Sequence, residues 1–204
     1  PGVFFNGTSD LYLGPLSVAD LEGASDRSVE IWALNPSIAD EETLVAWSHR
    51  GGPDGSNLSI NYGGNVGAAG YGAVGHWGGS YDLGWPDAAG VPAANEWHHI
   101  VYTYDGNRTV TVYVDGAPRV SKVLPAPLNT YAGFSLNIGS QRDSASALTA
   151  TLRFSGYINT VRIHGGMLSA SDVSANFAYG PAYTPSTSPV AITSSPQDQA
   201  VGET

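Results

Sequence analysis

The run "WHHIVYTYDGNRTVTVYVDG", residues 97–116, most narrows what this chain can fold into. β-Branched and aromatic residues fill two blocks, and such side chains suit a pleated, half-buried surface. Asp105-Gly106-Asn107 separates the blocks and Asp115-Gly116 closes the second, and Asp-Gly between apolar runs is a strong turn signal. Residues 97–104 and 108–114 are therefore expected to form an antiparallel hairpin. Val110, Val112 and Val114 then point to one face, and Thr109, Thr111 and Tyr113 to the other.

Further strand-like runs flank this hairpin. They are "SVEIWAL" (28–34), "TLVAWSH" (43–49), "NLSINYGG" (57–64), "FSLNIGS" (134–140) and "FSGYINTVRIHGG" (154–166). The 26 Gly and 13 Pro fit many short strands joined by turns. Only "SASDVSANFAYG" (169–180) reads as a helix, with Ser169 as N-cap, Asp172 at the capping-box position and Gly180 as stop. The chain is thus an all-β protein with one short helix near its C-terminal end. From Tyr183 the text becomes a Pro/Ser/Thr linker, followed by "AITSSPQDQAVGET".

Composition bounds the partners. With 8 Lys plus Arg against 18 Asp plus Glu, the net charge of −10 repels nucleic acid and anionic membranes. A neutral ligand or a hard cation is compatible with it. There is no cysteine, which removes disulfides, thiolate zinc sites and Cys nucleophiles together. No apolar run approaches the roughly 20 residues of a membrane span. A chain opening on Pro1 without Met or a leader is expected to be a processed or excised piece of a longer protein.

Taken in order, "FFNGTSDLYL", "SVEIWALNP", "EWHHIVYTYDG", "TVYVDGAP", "LNIGS" and "FSGYINTVRIHGGMLSASDV" resemble the laminin G-like, concanavalin A-like lectin/glucanase domains of bacterial secreted proteins. The resemblance covers about 1–180 and implies a two-sheet antiparallel jelly-roll sandwich. On this reading residues 1–184 are the sandwich. Residues 185–204 are linker plus the start of a module resembling a bacterial immunoglobulin-like repeat. The resemblance also implies a secreted or cell-surface protein in which other modules of the same chain are partners.

Retaining glycosidases on this fold carry a Glu-x-Asp-x-x-Glu strand. None of Glu22, Glu30, Glu41, Glu42, Glu96 or Glu203 starts that spacing, and no G-x-S-x-G elbow is present. No catalytic residue is therefore assigned, and the domain is not expected to be an enzyme. The resemblance implies a structural Ca2+ near the first and last strands, held by Asn6, Asp10 and Asn159. In many relatives an Asp-Glu pair stands where this chain has Asn159-Thr160. The alternative for Asn6 and Asp10 is local turn stabilisation, and Asp54 and Asp82 are weaker loop candidates for a metal. Glu30 and Arg162, outward on central strands, are expected to pair across the sheet. His98 and His99 must face opposite ways. His49 and His164 have no evident partner, and Trp97 is read as a core anchor.

The densest aromatic stretch is "GAVGHWGGSYDLGW", residues 72–85. It can be read as strands 71–77 and 81–85 around Gly78-Gly79-Ser80. Two roles stay open. In one, Trp77, Tyr81 and Trp85 serve as flat faces for a sugar ring, with His76 and Asp82 bonding hydroxyls and the 49–55 loop adjoining. Otherwise the aromatics are sheet packing. The expected function is non-catalytic carbohydrate binding. Adhesion or spacing within a surface protein is the first alternative, and a jelly-roll enzyme with an unrecognised site is the second.

Overall fold

A computed structural model describes residues 2–17, 19–148 and 152–182. Its strands in chain order are β1 (Val3–Asn6), β2 (Tyr12–Leu16), β3 (Arg27–Leu34), β4 (Thr43–Trp47), β5 (Leu58–Asn61), β6 (Val74–Gly75), β7 (Trp97–Tyr104), β8 (Thr109–Val114), β9 (Ala117–Val123), β10 (Ser135–Ile138), β11 (Arg142–Ser144), β12 (Ala147–Leu148) and β13 (Ser155–Gly165). The helix α1 spans Ala170–Tyr179. The large sheet runs β1-β13-β3-β7-β8-β9, and the small sheet β2-β10-β4-β5-β6. Strand pairing is antiparallel throughout both sheets. This is a two-sheet jelly-roll sandwich of the concanavalin A-like kind.

The expected hairpin is β7–β8, with Tyr104 opposite Val110 and Ile100 opposite Val114. Val110, Val112 and Val114 enter the core between the sheets with Val29, Ile31, Ile100 and Tyr102. Tyr113 points the other way and packs with Val101 and Val173 beneath α1. The helix starts where its cap places it. Ser169 Oγ accepts from Asp172 N, the Asp172 carboxylate accepts from Ser169 N, and Gly180 ends it at φ 79°. Gly is the residue that takes this left-handed stop without Cβ strain.

Several expectations change. Trp97 is not a core anchor: it is 39% exposed at the start of β7. Strands β2 and β9 carry no clear signal in the sequence, β2 because "YLGPL" contains both Gly and Pro. The 71–77 and 81–85 strands reduce to β6 and two isolated bridges, Val74 to Leu83 and Val66 to Trp85. The linker and truncated module expected over 185–204 lie outside the described residues.

Glu30 and Arg162 stand opposite each other, as expected, with Arg162 Nη1 3.9 Å from Glu30 Oε2. The stronger partners are others. His164 Nε2 lies 2.9 Å from Oε2, and Asn176 of α1 donates to Oε1 at 2.6 Å. Burial works against the Glu30 charge, but hydrogen bonds from His164, His99 and Asn176 outweigh it and hold the carboxyl far below the usual range. His164 thus has a partner that lies 134 residues away in sequence. Trp32, His99 and Phe177 stack beside this cluster at interplanar angles of 14° to 24°. Together these contacts fasten α1 to the outer face of the large sheet.

Candidate functional site

The opposite face, that of the small sheet, carries the cavity of interest. Asn137, Ala46, Ser59 and Gly75 are cross-strand neighbours on β10, β4, β5 and β6. Residues directly opposite in a sheet share a face, so this row forms one strip of small and polar side chains. Ser59 and Gly75 line a cavity of about 320 Å3, together with Asn57 and Gln141. Glu41, Arg50, Tyr71, Trp77, Gly78 and Asp82 complete its wall. Gly75 keeps the floor open: a Cβ there would stand 2.7 Å from Ser59 Oγ.

The wall is built by a tight loop after β6. Trp77 has φ 68°, a left-handed conformation uncommon for a bulky residue. Its carbonyl accepts from Gly55 N at 2.9 Å. Gly78 follows at φ 93°, where a Cβ would lie 2.4 to 2.7 Å from the Asp54 carboxyl group, so only glycine fits. Tyr81 N and Asp82 N both donate to Gly78 O, at 2.8 and 3.1 Å. The turn thereby returns Asp82 to the cavity, where its Oδ1 accepts from His76 N at 2.8 Å. Arg50 lies over the Trp77 ring at 5.5 Å and pairs with Glu41 at 3.4 Å. That contact fixes one face of the indole.

The electrostatics follow from burial. Burial pushes the Asp82 carboxyl up to about 6, against the hydrogen bond from His76 N and the charge of Lys122. Burial also raises Glu41, with Arg50 opposing. The rest of the lining is neutral and polar. Gln141 Nε2 donates to Thr43 Oγ1, and Asn57 Nδ2 donates to Gln141 Oε1. Asn57, 2% exposed, is left with an Oδ1 that has no protein partner. A buried amide oxygen without a donor is costly.

The five residues expected to meet a ligand separate into two groups. Trp77 and Asp82 line the cavity. His76, Tyr81 and Trp85 do not, and the reason is packing. His76 is wholly buried, with Nδ1 2.8 Å from Tyr81 O and Nε2 3.2 Å from Tyr102 Oη. Burial lowers it to about 3, so it is a neutral imidazole that donates from Nδ1 and accepts at Nε2. Trp85 is wholly buried and donates to Gly63 O at 2.7 Å. Tyr81 packs on Gly55, where a Cβ would come within 2.7 Å of its ring. Packing is thus the role of His76, Tyr81 and Trp85, while Trp77 and Asp82 face the cavity. Glu41, Arg50, Asn57, Ser59, Tyr71 and Gln141 were not foreseen as lining residues. The polar alternation of Asn57, Ser59 and Asn61 along "NLSINYGG" was the available signal for two of them. Arg50 falls inside the adjoining 49–55 loop.

The expected calcium ligands do not assemble. Asn6 Oδ1 accepts from the backbone N–H of Thr8, Ser9 and Asp10, and Asp10 Oδ2 accepts from Asn6 N at 3.0 Å. These oxygens close a turn, the alternative considered for them. Asn6 pairs with Ser155, four positions along β13 from Asn159, or roughly 13 Å at strand rise. Calcium requires six to eight converging oxygens, which these three residues do not begin to supply. Among the described residues no group of three or more His, Asp or Glu side chains is arranged to hold a metal ion. No helix among them is long and apolar enough to cross a membrane.

With sandwich, strip and cavity in place, the comparisons agree on the class. A model of the laminin G type, described as the concanavalin A-like lectin/glucanases superfamily, matches residues 6–174. The chain belongs to that family. No curated protein matches the chain. Among solved structures it is similar to domain 4 of an extracellular arabinanase from Geobacillus stearothermophilus, in complex with arabinotriose. The identity is 20%, covering 84% of this chain and 74% of that one, with a TM-score of 0.57. A second is the CBM40 of a Ruminococcus gnavus IT-sialidase, at 13% identity, covering 85% and 95%, with a TM-score of 0.56. A third is a putative carbohydrate binding protein from Bacteroides ovatus, at 18% identity, covering 83% and 45%, with a TM-score of 0.54. At these identities the likeness shows the fold.

Proposed function

We propose that this domain is a non-catalytic carbohydrate-binding module of a secreted, multidomain bacterial protein, and that its glycan sits in the cavity on the small sheet. The carrying observation is the pairing of a fixed aromatic face, Trp77, with a neutral polar floor that leaves Asn57 Oδ1 unpartnered. Sugar rings offer an apolar face for stacking and hydroxyls for hydrogen bonding. A pocket with apolar walls and a few convergent polar groups recognises that mixture. A volume of about 320 Å3 suits a short stretch of glycan. The similarity to an arabinanase domain in complex with arabinotriose supports the same ligand class.

The test is a glycan array followed by calorimetry, with arabino-oligosaccharides in the panel and runs both in calcium and in chelator. Binding is expected in both buffers, lost in Trp77→Ala and kept in Trp97→Ala. Binding that survives Trp77→Ala would refute the placement. One observation favours a second reading. Glu41 and Asp82, both raised by burial, line one cavity, as an acid–base pair for glycoside hydrolysis would. Release of reducing ends from a bound oligosaccharide, abolished in Asp82→Asn, would establish it.

A further inference from the structure

We infer that Lys122 is a positioning residue of the cavity, a half-buried cation that holds the 78–82 wall in place by binding three backbone carbonyls. The inference rests on reading the cavity as a ligand site, and it adds a residue from the other sheet.

Strand β9 is the edge of the large sheet, pairing only with β8. Its inward positions are marked by Val120, which packs against the core, and its outward ones by Ser121, which meets Thr111 Oγ1 at 3.0 Å. By the period of two, Lys122 falls inward and Val123 outward. The chemistry is therefore inverted at this edge: the charged residue turns toward the sandwich, and Val123 is left 64% exposed. Core packing does not ask for that arrangement.

Lys122 Nζ accounts for it. It reaches from the large sheet to loops of the small one and donates to Asp82 O at 2.6 Å. Gly79 O lies 3.4 Å away and Ala68 O 3.5 Å away. An ammonium has three N–H donors, and three carbonyls from two separate loops converge on it. Trp77, Gly78 and Asp82 all line the cavity. A cation fixed behind the turn thus sets where the indole and the carboxylate stand. Lys122 also favours the charged form of Asp82. Without the ammonium, three carbonyls lose their donor and the Asp82 charge loses one of its supports.

The test uses the whole chain with Lys122→Met, which keeps the stem and removes the donors, and Lys122→Arg, which keeps a cation. Two readouts need no ligand. One is the titration of the Asp82 carboxyl carbon by NMR, and the other is hydrogen exchange of the Tyr81 and Asp82 amides, which bond Gly78 O. In Lys122→Met the Asp82 midpoint should move upward and both amides should exchange about tenfold faster or more, with Lys122→Arg returning both toward wild type. The third readout is affinity for whichever oligosaccharide binds in a Trp77-dependent way, expected to fall about tenfold in Lys122→Met while cooperative unfolding persists. If Lys122→Met does not fold, Lys122→Gln, a shorter neutral side chain with two N–H donors, should give an intermediate change in all three. Unchanged titration and exchange in the folded variant would overturn the inference, and so would loosened amides with undiminished affinity. If wild type binds no glycan, the functional reading fails, while titration and exchange still decide the role of Lys122.

Discussion

Asp82 offers the sharpest test of whether this cavity is held at a cost to the fold. An aspartate ordinarily titrates at 3.8, and burial brings Asp82 to about 6. At about 1.36 kcal/mol per pH unit, that difference corresponds to about 3 kcal/mol. Asp82 retains part of its solvent exposure, which reduces the cost to about 1–2 kcal/mol. The sign follows from linkage. The folded chain holds this proton more tightly than the unfolded chain. The penalty is therefore absent below pH 4, grows between pH 4 and 6, and is complete above pH 6. Asp82→Asn removes the charge and keeps an Oδ1 that can accept from His76 N. The variant should be more stable than wild type at pH 7.5 by about 3–6 °C in Tm, and no more stable at pH 4. Calorimetry of both proteins at both pH values decides it, because Glu41 and Glu30 titrate in each and cancel in the difference. A variant equally or less stable at pH 7.5 than at pH 4, relative to wild type, would refute the reasoning. It would mean that Lys122 and the backbone N–H groups of His76 and Trp77 already satisfy the charge. If the reasoning holds and Asp82→Asn also weakens glycan binding, the carboxylate is retained for recognition against the interest of stability.

Three further outcomes follow from the same geometry. Trp85→Ala empties a wholly buried site and strands Gly63 O, and should cost about 3–5 kcal/mol in urea unfolding; Trp77→Ala should leave Tm within a few degrees and abolish binding. Glu30→Gln breaks a buried charge cluster, at about 3–5 kcal/mol at pH 7. Because the Glu30 carboxyl is depressed, that loss should be full above about pH 4.5 and shrink below it, as denaturation at pH 7 and pH 3.5 would show. Finally, chelator should not lower Tm, since Asn6 and Asp10 spend their oxygens on a turn; a fall of several degrees that calcium reverses would contradict this.

What the sequence disclosed and what it withheld divide along the range of the interactions. The β7–β8 hairpin and the α1 caps were legible because Asp105-Gly106, Ser169, Asp172 and Gly180 act on neighbours within a few residues. Arg162 was legible as a partner of Glu30, but His164 and Asn176 were not, because they meet it only through the β13–β3 register and the docking of α1. The 72–85 stretch shows the limit most clearly. Trp77 and Trp85 sit in similar glycine-rich surroundings, and nothing local tells the cavity wall from the core. Their fates separate because Trp77 takes a positive φ and is met by Arg50, whereas Trp85 is drawn inward to Gly63 O. Lys122 belongs with the interactions that were withheld: β9 carries no clear strand signal, and the lysine's partners at Ala68, Gly79 and Asp82 depend on how the two sheets face each other. The cavity is thus assembled almost entirely from contacts distant in sequence. Composition can announce a dense aromatic stretch, but which aromatic reaches the cavity is decided by packing.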